Sequence, residues 1–107
     1  LKCLPVRWTA QASGDLIEIL EFIGADRPAA AREVGRDVLR QSRTLARNPL
    51  RGRMMPELSE QGIKDYRQIL VSRYRVIYRV RSDAVEVAAV IDTARDLGEA
   101  LLRRLLR

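Results

Sequence analysis

The sequence predicts an α+β fold: an N-terminal strand and an antiparallel helical hairpin packed on an antiparallel sheet of three to four strands, with a short C-terminal helix. Three patterns carry this expectation. Apolar residues recur at helical spacing in two consecutive stretches before Asn48-Pro49. From Tyr66 to Ile91 the pattern changes to the alternation of extended chain, broken by two short polar turns. Leucines then return at helical spacing from Leu97 to Arg107.

Leu4 to Trp8 is read as a short strand. Pro5 has no amide hydrogen to give a ladder, so the strand starts late or lies at a sheet edge. Thr9 is placed to cap the next helix. From Ala10 to Ile23, the residues Ala12, Leu16, Ile19, Leu20 and Ile23 share a face, with Asp15, Glu18 and Glu21 interleaved. Gly24 is a suitable stop. Asp26-Arg27-Pro28 reads as a second start, Asp26 as the cap and Pro28 in the first turn. Ala31, Val34, Val38, Leu39, Leu45 and Ala46 form the expected buried face. Arg32, Arg36, Arg40, Arg43 and Arg47 make a basic stripe outside it, partly offset by Glu33 and Asp37. A solvated helix face is the simpler reading of that stripe. The short connection between the helices implies that they pack antiparallel.

Arg51 to Asp65 lacks periodicity and reads as a long connection pinned by Met54, Met55 and Leu58. The next stretch, Tyr66 to Arg81, holds two strands around a turn at Ser72-Arg73. On the second strand Tyr74, Val76, Tyr78 and Val80 share one face, and Arg75, Ile77, Arg79 and Arg81 the other. A tyrosine/valine face backed by an arginine-rich face points to a binding surface. After a turn at Ser82-Asp83 comes a third strand, Ala84 to Ile91, with Val85, Val87, Ala89 and Ile91 on its core face. In the tail, Leu97, Leu101 and Leu105 share a helical face.

Composition sets limits on function. A chain of 107 residues with 47% hydrophobic and 32% charged residues suits one globular domain spanning residues 1–107. No apolar run reaches the ~18–20 residues of a membrane span, and no membrane partner is expected. The start, Leu1 to Val6, is too quickly interrupted for a secretory signal. The single cysteine, Cys3, rules out an internal disulfide and suits a reducing cytoplasm. The chain has no histidine, which removes the usual general base and the commonest metal ligand, so neither a metal nor a cofactor is expected. The net charge of +6 comes almost wholly from arginine and favours an acidic partner.

An ordered series of residues adds a family likeness. Arg7-Trp8 precedes Ala12 and Asp15-Leu16-Ile17-Glu18-Ile19; Pro28-Ala29-Ala30-Ala31 opens the second helix; Leu45, Asn48-Pro49 and Gly52-Arg53 follow. Glu57-Leu58, Tyr66-Arg67, Tyr74-Arg75-Val76-Ile77-Tyr78-Arg79-Val80 and Arg95-Asp96-Leu97 complete it. This series resembles the ParE/RelE superfamily of toxins from bacterial type II toxin–antitoxin modules, over roughly Pro5 to Leu97. The resemblance implies a toxin neutralised by a ParD/RelB-like antitoxin, whose disordered segment folds onto the toxin while its other end binds operator DNA. Operator DNA is then reached only through the antitoxin. Arg75, Ile77, Arg79, Arg81, Arg95, Leu97 and Leu101 are the expected partner-binding residues.

The superfamily divides by target. RelE-like members resemble ribosome-dependent mRNA endoribonucleases, which need a base, a phosphorane-stabilising cation and an acid. Arg67, Arg75 and Arg95 match three positions of that branch. The second member of its basic pair falls on Ile69, however, and no tyrosine or histidine follows Arg95. ParE-like members resemble inhibitors of DNA gyrase that act by protein contact, without a catalytic set. Arg7-Trp8, the Asp15 to Ile19 run and Arg95-Asp96-Leu97 look closer to this branch, although it often has histidine where Asp92 stands. The expectation is therefore a gyrase inhibitor. The alternatives are an endoribonuclease, or a non-toxic homologue kept as an antitoxin-binding or regulatory module.

Overall fold

The computed structural model describes residues 3–95 and 103–105. The first strand, β1 (Val6–Trp8), leads through Thr9 into α1 (Ala10–Gly24). Thr9 is extended and its hydroxyl accepts from the Ala12 amide at 3.0 Å, satisfying one of the amides that every helix start leaves open. α2 (Pro28–Arg43) is entered through Arg27, which stands at the cap position with no side-chain hydrogen bond. The expected cap, Asp26, lies one residue too early. The fixed φ of Pro28 starts the helix in its place. A single 3-10 turn, Thr44–Ala46, ends the hairpin before Asn48-Pro49.

The helices pack antiparallel, as the approach of Gly24 to Ala31 and of Gly35 to Leu20 shows. Ala31, Val38 and Leu45 are buried on α2 and beyond it, but Leu39 is exposed. The place expected for it in the core is taken by Gly35 and Ser42. Ser42 is tolerated there because its hydroxyl donates to the Val38 carbonyl at 2.7 Å.

The long connection contains two small elements, β2 (Arg53–Met54) and α3 (Pro56–Ser59). Met55 and Leu58 are fully buried, whereas Met54 lies at the surface on the two-residue edge strand. Gly62 closes α3 with a left-handed φ of 81°, as helix ends commonly require. β3 (Tyr66–Val71), β4 (Tyr74–Val80) and β5 (Val85–Asp92) then form the expected meander. The β3–β4 hairpin turns through Ser72 at φ 56°.

The sheet has five strands in the order β1-β5-β4-β3-β2. It is mixed, not purely antiparallel, because β1 runs parallel to β5. A bulge in β5 resets its faces: Ile77 pairs with Ala89 but Tyr78 pairs with Val87, leaving Ala88 over. Val85 and Val87 therefore face the helices, with Ala12, Leu16, Val38, Leu45, Val76 and Tyr78. Ala89 and Ile91 face the other way, joining Ile77, Tyr66, Met55, Leu58 and Leu105. The expected single core face of this strand is thus split between two cores. Val90, on the helix side, packs with Ile23, Ala31 and Tyr74.

Residues 103–105 are helical and Leu105 is buried against the second face, consistent with a short C-terminal helix. No described helix is long and apolar enough to cross a membrane.

Candidate partner-binding face

The face of β3 and β4 turned away from the helical hairpin is built by register. Tyr66 stands opposite Arg79, Gln68 opposite Ile77 and Leu70 opposite Arg75, so these six side chains share it. Ile77 is 0% exposed, sealed with Met55, Leu58 and Leu105, and belongs to a core here, not to a surface. Leu70, which alternation alone could have singled out beside Arg75, is 59% exposed and supplies the apolar element of the face.

Arg73, Arg75, Arg79 and Arg81 of the hairpin are paired with carboxylates of the same chain. Arg75 donates to Glu57 on α3 at 3.0 Å and lies 3.5 Å from the Gln68 side-chain oxygen. Glu57 is held below the usual carboxylate range by a backbone hydrogen bond first and by Arg75 second, against a cost of burial. Arg79 donates to Glu86 at 3.1 Å and stacks over the Tyr66 ring, 5.5 Å from its centre. Arg81 is more exposed, 3.9 Å from the same Glu86. At the far end of the hairpin Arg73 bridges to Asp92 at 3.0 Å. Asp92 also accepts from the Ala94 amide at 2.9 Å, and this bond, ahead of Arg73, keeps its pKa low. Arg95 is exposed just beyond that turn. Leu97 and Leu101 lie outside the described residues.

Arg67 does not join Arg75. It stands opposite Tyr78, on the face turned toward the helices, and donates to the Gly52 carbonyl at 2.8 Å and the Leu50 carbonyl at 3.3 Å. Beside it the fully buried Tyr78 hydroxyl donates to the Pro49 carbonyl at 2.7 Å and accepts from the Gly52 amide at 2.9 Å. Only glycine fits at position 52, where a Cβ would collide with that hydroxyl and lie 2.8 Å from the Gln68 carbonyl oxygen. Burial raises the pKa values of both Tyr78 and Tyr66, which holds them protonated near neutral pH. The arginines matched to ribonuclease positions, Arg67, Arg75 and Arg95, thus sit on two sheet faces and a turn. Among the described residues no His, Cys, Asp and Glu cluster could hold a metal.

A further arginine explains the free edge of β5. β1 covers β5 only from Val85 to Val87, so among the described residues the strand continues past it without a neighbouring strand on that side. Asp15 of α1 accepts from the Val90 amide at 3.0 Å, and Arg104 donates to the Ala88 carbonyl at 2.6 Å. Asp15 and Arg104 are themselves paired at 2.8 Å. The pair satisfies edge groups that would otherwise invite another strand.

The family model described as "ParE toxin of type II toxin-antitoxin system, parDE" matches residues 6–97. A solved chain described as "Chromosomal ParDE TA system from P. aeruginosa" superposes with a TM-score of 0.70 at 17% identity, covering 84% of this chain and 96% of that one. At that identity the likeness is one of fold. No curated protein sequence matches significantly.

Proposed function

Because the chain belongs to the ParE family of toxins from type II toxin–antitoxin systems, we propose that it inhibits DNA gyrase by direct protein contact and is neutralised by a ParD-like antitoxin. The family match over residues 6–97 carries this reading. The geometry supports inhibition without bond-breaking chemistry. Arg67 and Arg75 face opposite sides of the sheet, the nearby Tyr66 and Tyr78 are buried and protonated, and the carboxylate beside Arg75, Glu57, is held in an ion pair with it, so the described residues do not gather the ribonuclease-matched arginines into one site. Action on gyrase places the chain in the cytoplasm.

We assign the antitoxin to the sheet face of Leu70, Arg75, Arg79 and Arg81, together with Arg95, and expect Leu97 and Leu101 to take part in binding it. An acidic segment laid across it would exchange its carboxylates for Glu57 and Glu86. Each exchange replaces one ion pair by another, so it sets orientation more than affinity. The exposed Leu70 then provides apolar gain.

The test is a plasmid assay with purified gyrase. Addition of the chain should accumulate cleaved plasmid or abolish supercoiling, and the antitoxin encoded beside it should restore activity. Gyrase that is unaffected at a large molar excess of the chain would overturn the proposal.

A further inference from the structure

The arginines of α2 stand apart from all those of the sheet. Arg32, Arg36, Arg40, Arg43 and Arg47 are exposed along one side of the hairpin. Among the described residues only Arg40 has an ion-pair partner, Asp37 one turn back at 2.9 Å. The other four guanidinium groups make no hydrogen bond or ion pair there. Four of the five lie on α2, where Arg32 to Arg43 spans about 17 Å at ~1.5 Å per residue, and Arg47 follows the 3-10 turn. Its members lie outside the buried face of α2, which consists of Ala31, Gly35, Val38 and Ser42.

We infer that this stripe is a docking surface for the phosphate backbone of duplex DNA. Four arginines without an ion-pair partner among the described residues, two on each side of Arg40, match a polyanion, and guanidinium groups suit phosphate because they offer two parallel donors. Each strand of a duplex carries one phosphate per ~3.4 Å of axis, so about 17 Å of duplex meets the helical part of the stripe. A helix lies readily along the rims of the B-form major groove, ~12 Å wide, whereas the A-form groove of RNA is too narrow. An acidic protein helix would be expected to meet an apolar strip beside the charges, and Leu39 is the one large apolar residue of α2 that is well exposed. The stripe offers no pattern for reading bases. The contact is therefore independent of sequence and leaves operator recognition to the antitoxin. This inference stands apart from the gyrase proposal: its test contains no gyrase, so either can fail alone.

The experiment is fluorescence anisotropy of the full chain with a labelled 20-base-pair duplex of arbitrary sequence, between 50 and 200 mM salt. Four phosphate contacts give a log–log salt slope of about −3.6, a loss of roughly a hundredfold in affinity over that range. Arg36→Gln/Arg43→Gln should halve the slope and weaken binding at least tenfold at 50 mM salt. Arg73→Gln/Arg81→Gln removes the same net charge from the sheet and should change affinity less than twofold. The inference is overturned by absence of binding at 50 mM salt, or by equal losses in the two double variants, which would mark a net-charge effect. It is equally overturned if an RNA duplex of the same length competes better than DNA, or if polyglutamate competes and unlabelled DNA does not. Circular dichroism spectra matching the parent chain confirm that both doubles fold.

Discussion

The arginines of the sheet and those of α2 look alike in the sequence and differ in what holds them. Arg73, Arg75, Arg79, Arg81 and Arg104 each face a carboxylate of the same chain, and Arg75, Arg79 and Arg104 are mostly covered. Along α2 the carboxylates Glu33 and Asp37 lie to one side, and only Arg40 is paired among the described residues. The lesson concerns where a net charge of +6 is available to a partner. On the sheet an incoming anion must displace an acid already in place. On the helix it displaces water and counterions.

If the comparison holds, substitutions should rank by how much internal partnering they break. The largest effect belongs to Asp15→Ala, which leaves the Val90 amide without its acceptor and the Arg104 guanidinium without its carboxylate partner. Loss of charge-assisted bonds at a largely covered site should cost about 2–3 kcal/mol in urea unfolding. Tyr78→Phe comes next, because the Gly52 amide and Pro49 carbonyl lose their partner in a tightly packed spot. About 1–2 kcal/mol is expected, with little change in the urea m-value.

Arg75→Met should cost about 1 kcal/mol or less, since Glu57 can turn to solvent. The same bridge also has a pH signature. Glu57 and Asp92 have depressed pKa values in the folded chain, so they stabilise it fully above their ordinary values of 4.5 and 3.8. That contribution is lost as pH falls through the lower folded values. Glu57→Gln should therefore flatten the acid limb of a stability–pH profile, and an unchanged limb would remove Glu57 from the account. Smallest of all, Arg36→Gln or Arg43→Gln should shift stability by less than about 0.5 kcal/mol, because neither side chain holds anything in the fold.

Much of the architecture was legible before any coordinates. The helix pair follows from Ala12, Leu16 and Ile23 recurring at helical spacing, and β3 and β4 from strict alternation with only Ser72-Arg73 between them. The bulge at Ala88 was not legible, because two adjacent alanines carry no facial preference and Val85, Val87, Ala89, Ile91 look like one unbroken face. β2 is only two residues long and owes its existence to pairing with Gln68 and Arg67, a tertiary effect without a local pattern. Leu39 was assigned inward by spacing alone, while Gly35 lets α1 approach so closely that Leu20 fills that region. At the candidate site, alternation placed Arg75, Arg79 and Arg81 on one face correctly. It could not reveal that Glu57 and Glu86 neutralise them, since Glu57 lies 18 residues from Arg75 in a stretch without periodicity. The prominence of the sheet arginines in the sequence therefore overstated their availability, whereas the α2 stripe is exposed, as its plain reading as solvated surface expects.

The most direct check of this contrast is mass-spectrometric footprinting with a dicarbonyl reagent that modifies accessible, unpaired guanidinium groups. At neutral pH and limiting reagent, Arg32, Arg36, Arg43 and Arg47 should react several-fold faster than Arg75, Arg79 and Arg104. Equal rates across the two sets, or faster modification on the sheet, would contradict the account.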